Sequence, residues 1–344
     1  MKLVIDCLGG DNSPGANVEG SLIALDRFPG LELILAGDEE TLKKELEKHG
    51  AGADRLSRID ILHAPDVITG EDKPTDAIRL KRDSSMMKSI RLLREDPTVS
   101  GIVSLGATGS LVAAATLRIG RLPGVRRPSF CPILPTMAGG IVGICDSGAN
   151  VDCTPIQLVQ FAVMGSAYMK NVYNIPNPRV ALLNIGTESE KGDDLRRTVY
   201  KALSELSSQG LLNFTGNMES RDLLSGNYDL VVCDGFSGNV LIKTTEGTAL
   251  QLLKKIKKDI YSRGIYKFGA LFMKKMFAEE KEFMSYQNYG GSVLLGTEKT
   301  IVKGHGSGDA RAVAKCIEQA YKMVDSGLNG VIESAVALLP EEYE

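Results

Sequence analysis

Short apolar runs alternate with helix-like segments along most of the chain, and this alternation restricts the fold more than any other feature. The runs are almost continuously apolar, as expected of strands covered by helices on both faces. Strand–helix alternation favours parallel pairing with right-handed crossovers, so the sequence predicts an α/β fold. The predicted strands are 2–8, 31–36, 58–62, 101–105, 141–145, 179–185 and 229–233, and the predicted helices include 16–28, 39–49, 83–95, 154–170 and 193–208.

Two apolar runs lie too close together for a parallel crossover. Residues 129–135 and 141–146 are separated by only five residues, whereas a parallel connection needs a dozen or more. We expect them to pair antiparallel, within or beside the main sheet. No repeat or low-complexity linker interrupts the chain, so residues 1–344 are expected to form a single α/β catalytic domain around one sheet.

Composition excludes several classes of protein. A net charge of −3 gives no reason to expect nucleic-acid binding, so any affinity for an anion must come from local structure. The six cysteines form no CxxC pair, which favours buried, reduced thiols over disulfides or a metal site. The apolar stretch at the N-terminus is too short for a signal peptide and no run is long enough to span a bilayer. A cytoplasmic location is therefore expected.

Four segments share one design, in which an apolar strand ends in a turn of small residues that opens a helix: 104–110, 146–152, 184–188 and 234–239. Glycine lets the backbone approach a ligand, and the following helix N-terminus favours an anion. One such turn alone indicates only a tight connection, but four at the carboxyl edge of a parallel sheet predict a shared pocket. The hydroxyl donors expected in it are Thr108, Ser110, Thr187 and Ser237.

The motifs of several common enzyme classes are missing. The chain has no Walker A loop, no dinucleotide-binding GxGxxG and no GxSxG, which disfavours an NTPase, an ordinary NAD enzyme and a serine hydrolase. Acyl transfer needs no protein nucleophile when the acceptor is itself nucleophilic. Phosphate qualifies, provided that it is held against a thioester carbonyl by preorganised donors.

Three side chains are candidates for this chemistry. Lys191 is the candidate cation, Asn239 the candidate amide donor to the carbonyl oxygen, and His305 a candidate phosphate donor or proton shuttle. Each also has a structural alternative that the sequence leaves open. Lys191 fits an exposed lysine at a helix start, Asn239 an N-cap, and His305 a turn residue bonded to backbone.

Nine motifs follow one another from the first strand to the last helix. They are IDCLGGD at 5–11, KRDSSM at 81–86, GATGS at 106–110, GANVDC at 148–153, LNIGTE at 183–188 with KG at 191–192, VCDGFSGN at 232–239, YGGS at 289–292, LLG at 294–296 and HGSGDA at 305–310. As a set they resemble the PlsX family of phosphate acyltransferases over nearly the whole chain.

This resemblance implies a Rossmann-like three-layer α/β/α sandwich, related to isocitrate dehydrogenase and phosphotransacetylase, with a mostly parallel sheet. It implies transfer of a fatty acyl group from acyl carrier protein to inorganic phosphate for phospholipid synthesis, without metal or organic cofactor. It also implies a homodimer in peripheral contact with membrane, and it matches Lys191 and Asn239 to active-site positions. Motifs and turns together predict these substrate- and phosphate-binding residues: Asp6, Gly9, Gly10, Thr108, Gly109, Ser110, Asn150, Gly186, Thr187, Ser237 and Gly238.

The chain departs from the family pattern at three positions. Ala107 stands where the family usually has Asn, Gly308 replaces a usual Ser, and Asn12 replaces a common His. The change at 107 removes a side-chain donor but leaves the backbone donors of that turn. Two alternatives to the family function stay open: a short-chain phosphate acyltransferase that uses coenzyme A, and a non-catalytic phosphate-binding or membrane-associated scaffold.

A basic segment rich in aromatic residues follows the last glycine turn. Residues 252–277 carry eight Lys or Arg against one acidic residue, and we expect a helical hairpin over about 250–288. Such a segment fits insertion into a lipid surface, a dimer interface, or docking of acidic acyl carrier protein. The residues predicted to contact membrane or carrier protein are Phe268, Leu271, Phe272, Lys274 and Lys275.

Overall fold

Strands and helices alternate in the computed structural model, which describes residues 1–262, 275–276, 279 and 289–340. The strands are β1 Lys2–Asp6, β2 Glu32–Gly37, β3 Ile59–His63, β4 Val99–Ser104, β5 Ser129–Cys131, β6 Ile133–Pro135, β7 Ile141–Cys145, β8 Val180–Asn184, β9 Phe214–Glu219, β10 Leu230–Val232, β11 Ser292–Leu295 and β12 Thr300–Lys303. The helices are α1 Gly15–Arg27, α2 Glu39–Lys48, α3 Ala53–Leu56, α4 Pro74–Leu80, α5 Ser85–Glu95, α6 Thr108–Ala114, α7 Pro155–Val172, α8 Asp194–Ser208, α9 Gly235–Ser262, α10 Ala310–Asp325 and α11 Leu328–Val336.

The strands divide between two sheets, which corrects the expectation of one. Sheet one has the order β3-β2-β1-β4-β12-β11-β5, and sheet two has the order β6-β7-β10-β8-β9. Within the described residues, seven of the ten strand pairings are parallel. The predicted α/β class with a mostly parallel arrangement is confirmed.

The predicted antiparallel pair is present as β6 and β7, in which Leu134 lies opposite Val142. The upstream run, however, is split: β5 pairs with β11 of sheet one instead. The break falls at Pro132, which has no N–H to donate to a ladder and therefore cannot continue a strand with one partner on each side. Its carbonyl still accepts from Ile144 N, 3.1 Å away. The chain crosses from one sheet to the other at this proline.

Both faces of sheet one are buried, which explains its unbroken apolar runs. Leu3 and Ile5 of β1 pack in a cluster with side chains of α1 and α10, whereas Val4 points to the opposite face, in a cluster with α5 and α6. Successive strand residues alternate between faces, so covering both faces requires every position to be apolar. The result is a three-layer α/β/α sandwich.

Helix α7 joins the cores of the two sheets. Its Phe161 and Tyr168 are fully buried and belong to one apolar cluster that contains Leu295 of sheet one and Leu230 of sheet two. The other face of sheet two is covered in part by α9, whose Leu241 packs with Val231. One continuous core therefore connects strands of both sheets.

The distal half of α9 is the described part of the predicted hairpin. Its surface combines Lys254, Lys255, Lys257 and Lys258 with exposed Leu252 and Ile256. Phe268, Leu271, Phe272 and Lys274 lie outside the described residues. Lys275 is exposed and lies 3.7 Å from Glu279. In the part of the chain that the structure describes, no helix combines the length and apolarity needed to cross a bilayer.

Candidate active site

A cavity of about 890 Å³ opens where strands of both sheets end. Turns after β1, β4 and β12 line one side of it, and the turn after β7 together with α9 lines the other. Three of the four predicted glycine turns thus contribute to a cleft between two sheets rather than to the edge of a single one. Ligands of open α/β folds bind outside the carboxyl ends of strands, so this cleft is the candidate active site.

The three turns of sheet one pack directly on one another. A Cβ on Gly9 would lie 2.6 Å from Gly106 N, so only glycine permits this approach of the first two turns. The third turn is tied to both, because Asp11 N donates to Gly306 O over 2.7 Å and Gly304 N donates to Ser104 O over 3.0 Å. Gly10 lines the cavity, whereas Gly9 supports it from behind.

Asp6 lies beneath these turns and does not face the cavity. It is 1% exposed, and its two carboxylate oxygens accept hydrogen bonds from Ser85 Oγ at 2.5 Å and Ser104 Oγ at 2.6 Å. Burial raises the pKa of this carboxyl, while the hydrogen bonds it accepts act in the opposite direction. The structure therefore gives Asp6 a supporting position beneath the predicted phosphate site.

The turn after β4 presents backbone donors to the cavity. Among the described residues, the amides of Ala107, Thr108 and Gly109 donate no hydrogen bond, and the methyl group of Ala107 cannot cap α6. Ala107 and Thr108 line the cavity. Gly109 faces Pro74, and the buried Ser110 Oγ has no hydrogen-bond partner within the described chain. Of the four predicted turns, this one comes closest to an open anion site.

The turn after β7 already holds an anion of its own. The carboxylate of Asp146 accepts hydrogen bonds from the amides of Ser147, Ala149 and Asn150, at 2.6, 3.3 and 2.6 Å. Asn150 also donates its side-chain amide to Asp146 and to Pro128 O. These donors are directed at Asp146, so Asn150 does not line the cavity.

The start of α9 is occupied in a similar way. Ser237 N donates to Asp234 Oδ1 at 2.8 Å, and Ser237 Oγ donates to Asp234 Oδ2 at 2.9 Å. Gly238 packs against the backbone carbonyl of Asp146, where a Cβ would lie only 3.0 Å from the carbonyl carbon. Asn239, one residue on, does line the cavity, and its side chain lies against Gly148.

The turn after β8 stands apart from the cavity. Gly186, Thr187 and Lys191 are not among the residues that line it, and Lys191 is exposed. Strand β8 is separated from β7 by β10, so its turn lies one strand further along the edge of sheet two. Arg196, in the first turn of α8, donates to Asp234 just before α9 and so connects these two helix starts. The structure thus brings Asn239 and His305 to one cavity, with Lys191 outside it.

His305 lies in the turn after β12 and lines the cavity. Its Nδ1 accepts a hydrogen bond from Ser307 N at 3.2 Å and contacts Ser307 Oγ at 2.8 Å. Because Nδ1 is an acceptor, the neutral ring carries its proton on Nε2. Burial lowers the pKa of His305, as does the charge of Lys303, so the neutral donor form is favoured.

Four charged residues in the cavity were missed from sequence: Asp11, Lys243, Glu246 and Lys303. Burial raises the pKa of the Glu246 carboxyl and lowers that of the Lys303 ammonium to about 8. One sequence signal marked Lys303, because it ends the otherwise uncharged strand TIVK immediately before the glycine turn of His305. Lys243 and Glu246 follow Asn239 at helical spacings of four and seven residues.

The family model described as "Fatty acid synthesis protein" matches residues 1–330. The chain belongs to this family. Its relatives include the phosphate acyltransferase of Shouchella clausii, 41% identical over 96% of this chain and 97% of that protein. The phosphate acyltransferase of Clostridioides difficile is 40% identical over 94% of this chain and 92% of its own. The resemblance to PlsX acyltransferases is thereby confirmed, and with it the prediction of an acyltransferase enzyme.

Solved structures similar to this family member support the same fold. A phosphotransacetylase from Streptococcus pyogenes matches with a TM-score of 0.60 at 18% identity, over 94% of both chains. A branched-chain phosphotransacylase from Enterococcus faecalis matches with a TM-score of 0.52 at 12% identity, over 94% of this chain and 99% of that one. The predicted phosphotransacetylase-like architecture is confirmed.

Proposed function

We propose that the chain transfers a fatty acyl group from a thioester to inorganic phosphate within the cavity between the two sheets, and that residues 1–344 act as one catalytic domain. A phosphate oxygen attacks the thioester carbonyl carbon, a C–O bond forms, and the C–S bond breaks. The departing thiolate takes up the proton that phosphate releases, so the products are an acyl phosphate and a free thiol. The relatives named phosphate acyltransferase support this reaction.

One observation carries the proposal: a single cavity has a polar end and an apolar wall. The polar end contains the open amides of Ala107 and Thr108 together with His305, while Phe130, Ile133 and Ile242 contribute to the apolar wall. An acyl chain along that wall would gain about 0.8 kcal/mol for each buried CH₂ group. A reactive ester at one end of a long chain needs such a two-part site.

The polar end supports a division of roles. The Asn239 side-chain amide, held against Gly148, is proposed to donate to the thioester carbonyl oxygen as negative charge develops there. The Nε2–H of His305 is proposed to donate to phosphate or to pass its proton to the leaving thiolate. Lys191 stays a prediction, as a cation on a turn that Arg196 connects to the start of α9.

A thiol-release assay tests this proposal. Purified protein is mixed with palmitoyl-acyl carrier protein and phosphate, and free thiol is followed with and without phosphate. We expect release that depends on phosphate and that falls about 100-fold in Asn239→Ala, the scale seen when one oxyanion donor is lost. Asn227→Ala, a change at an exposed asparagine, is the control. Release that ignores phosphate, or equal rates in both variants, would contradict the proposal.

The identity of the donor is the finer part of the proposal. We propose acyl carrier protein, because exposed lysines on the distal half of α9 suit an acidic partner. The phosphotransacetylase-like fold keeps coenzyme A as the alternative, and rates with both thioesters of one acyl chain separate the two. Charge reversal at Lys254 and Lys255 is expected to raise KM for the protein donor alone. Equal KM increases for both donors would remove the docking role.

Homodimer formation and peripheral membrane contact in the cytoplasm are also proposed. The exposed Leu250, Leu252 and Ile256 of α9 lie among its lysines, a pattern suited to an anionic lipid surface or to a second copy of the helix. Co-sedimentation with anionic liposomes and the mass in solution are compared for the wild type and for Leu271→Glu/Phe272→Glu. Unchanged binding to liposomes would exclude insertion of this segment.

A further inference from the structure

Lys303 is a buried lysine at the polar end of the cavity. It is the last residue of β12, only 9% exposed, and it lines the cavity beside the glycine turn of His305. Strand β12 pairs with β4, with Lys303 opposite Ser104, so the lysine lies where the turns after both strands begin. A strand position between two sheet neighbours is more rigid than a loop, which suits a group that must hold its place.

The ammonium of Lys303 is bonded only to uncharged groups in the described part of the chain. Its Nζ donates to Leu105 O at 3.3 Å and to Gly304 O, and no carboxylate lies within 4.0 Å. Asp6 and Asp11 act on it only at longer range. An ammonium has three donors, so two carbonyl bonds leave one donor for another partner. Burying a cation without a counter-charge is costly, and burial accordingly lowers its pKa to about 8.

The surroundings of Lys303 favour an anion as its further partner, although the Asp11 carboxylate also lines this cavity. The carbonyl that Nζ contacts belongs to Leu105, and the open amides of Ala107 and Thr108 follow two and three residues later in the same turn. Ammonium and amides therefore border the same end of one cavity, and neither type of group accepts hydrogen bonds. A small oxyanion supplies several acceptor oxygens and a negative charge at once.

We propose that Lys303 is the cation that binds the acceptor phosphate, between its ammonium and the amides of the turn after β4. This inference rests on the proposed function and adds a phosphate ligand that the sequence did not predict. It assigns to Lys303 the charge that the sequence assigned to Lys191. Bound phosphate favours the charged ammonium, so phosphate binding and proton binding at Lys303 are linked.

A purely structural lysine would behave differently. If Lys303 served only to join the turns after β4 and β12, its loss would lower stability and would weaken both substrates alike. As a phosphate ligand, its loss raises KM for phosphate and leaves KM for the acyl thioester nearly unchanged. The pH dependence of phosphate affinity is a second readout that a structural role does not move.

The experiment compares Lys303→Met, Lys303→Arg and the control Lys299→Met. Lys299 precedes the same strand and also donates to a backbone carbonyl, that of Val99 at 2.8 Å, but it does not line the cavity. We expect KM for phosphate to rise at least about 10-fold in Lys303→Met and to change less than about 2-fold in Lys299→Met, because a charged hydrogen bond to phosphate is lost only in the first. Equal changes in both variants, or equal KM changes for both substrates of Lys303→Met, would overturn the proposal.

Calorimetric titration of inorganic phosphate into the wild-type protein keeps the proposal testable if Lys303→Met does not fold. Binding is expected to weaken as pH rises from 7.5 to 9.5, since the ammonium of the free protein loses its proton near pH 8. In Lys303→Arg the weakening is expected to disappear, because a guanidinium stays charged. Phosphate affinity independent of pH in the wild type would refute the role of Lys303. Absence of thiol release with phosphate binding intact would instead refute the proposed function alone.

Discussion

Replacing Gly238 by alanine tests whether this glycine is required by packing or by a bound anion. A Cβ at this position would lie 2.9 Å from Cys233 Sγ and 3.0 Å from the carbonyl carbon of Asp146, with the carbonyl oxygen nearer still. Two of these three atoms belong to backbone in a turn that the Asp146 carboxylate holds in place. The obstruction therefore cannot rotate away as a flexible side chain would.

The magnitude follows from two opposing effects. Overpacking a rigid site destabilises by about 1–3 kcal/mol, and contact with fixed backbone indicates the upper end of that range. Alanine in place of glycine in a helix stabilises by about 1 kcal/mol. We therefore expect Gly238→Ala to lower the free energy of unfolding by about 2 kcal/mol. The control Gly247→Ala lies on the same helix with no atom within 4 Å, so it is expected to raise that free energy by about 1 kcal/mol.

Urea denaturation of the two variants and the wild type measures the change in the free energy of unfolding, taken as the shift in the midpoint multiplied by the common slope. Activity is measured in parallel, because a displaced α9 also displaces Asn239, and we expect kcat/KM to fall about 10- to 100-fold in Gly238→Ala only. If Gly238→Ala proved as stable as Gly247→Ala, the close contact with the Asp146 carbonyl would be disproved as the reason for glycine.

Two further predictions concern the stability of the fold. Gln319→Leu should lower the free energy of unfolding, measured by urea denaturation, by about 2–4 kcal/mol, because Gly291 N and the buried hydroxyl of Tyr168 each lose a hydrogen bond. A decrease below about 1 kcal/mol would contradict this explanation. Burial raises the pKa of Asp229, but hydrogen bonds from Arg179 lower it by more, so the net pKa lies below its ordinary value. The stability contributed by Asp229 is thus present above pH 4 and is lost as pH falls through the folded-state pKa. From its value at neutral pH, the free energy of unfolding should therefore fall more steeply with acid in the wild type than in Asp229→Asn. Parallel acid profiles of the two proteins would exclude this contribution.

Periodicity predicted the strands well because burial on both faces leaves few acceptable residue types. Residues 141–145 were predicted as a strand and form β7 with the same bounds. Strand β9 was not predicted. It lies at the edge of sheet two, where only Asn217 and Met218 of its six residues are buried, and its sequence FTGNME therefore has mixed polarity. Edge position depends on the neighbours of a strand in space, which local periodicity does not encode.

The division into two sheets was also beyond a reading of periodicity. The run from 129 to 135 is continuous in hydrophobicity, and the change of partner occurs within it at Pro132. The proline restricts pairing but does not specify which strand pairs on each side. That choice is made by β11, which lies more than 150 residues further along the chain.

The candidate site was predicted in part. Gly10, Thr108, Asn239 and His305 were predicted from motifs, turns and side-chain chemistry, and all four line the cavity, whereas Lys191 lies one strand further along the sheet edge. A sequence motif shows that a turn has anion-binding geometry, but not whether an acidic side chain of the chain already occupies it.

The carboxylate of Asp146 occupies the turn after β7 as a bound anion would. The amides of Ser147, Ala149 and Asn150 are already engaged by this carboxylate, so the turn beside Asn239 offers no backbone donors of its own to an incoming oxyanion. The chain thus closes one of its own glycine turns and leaves the turn after β4 as the open one.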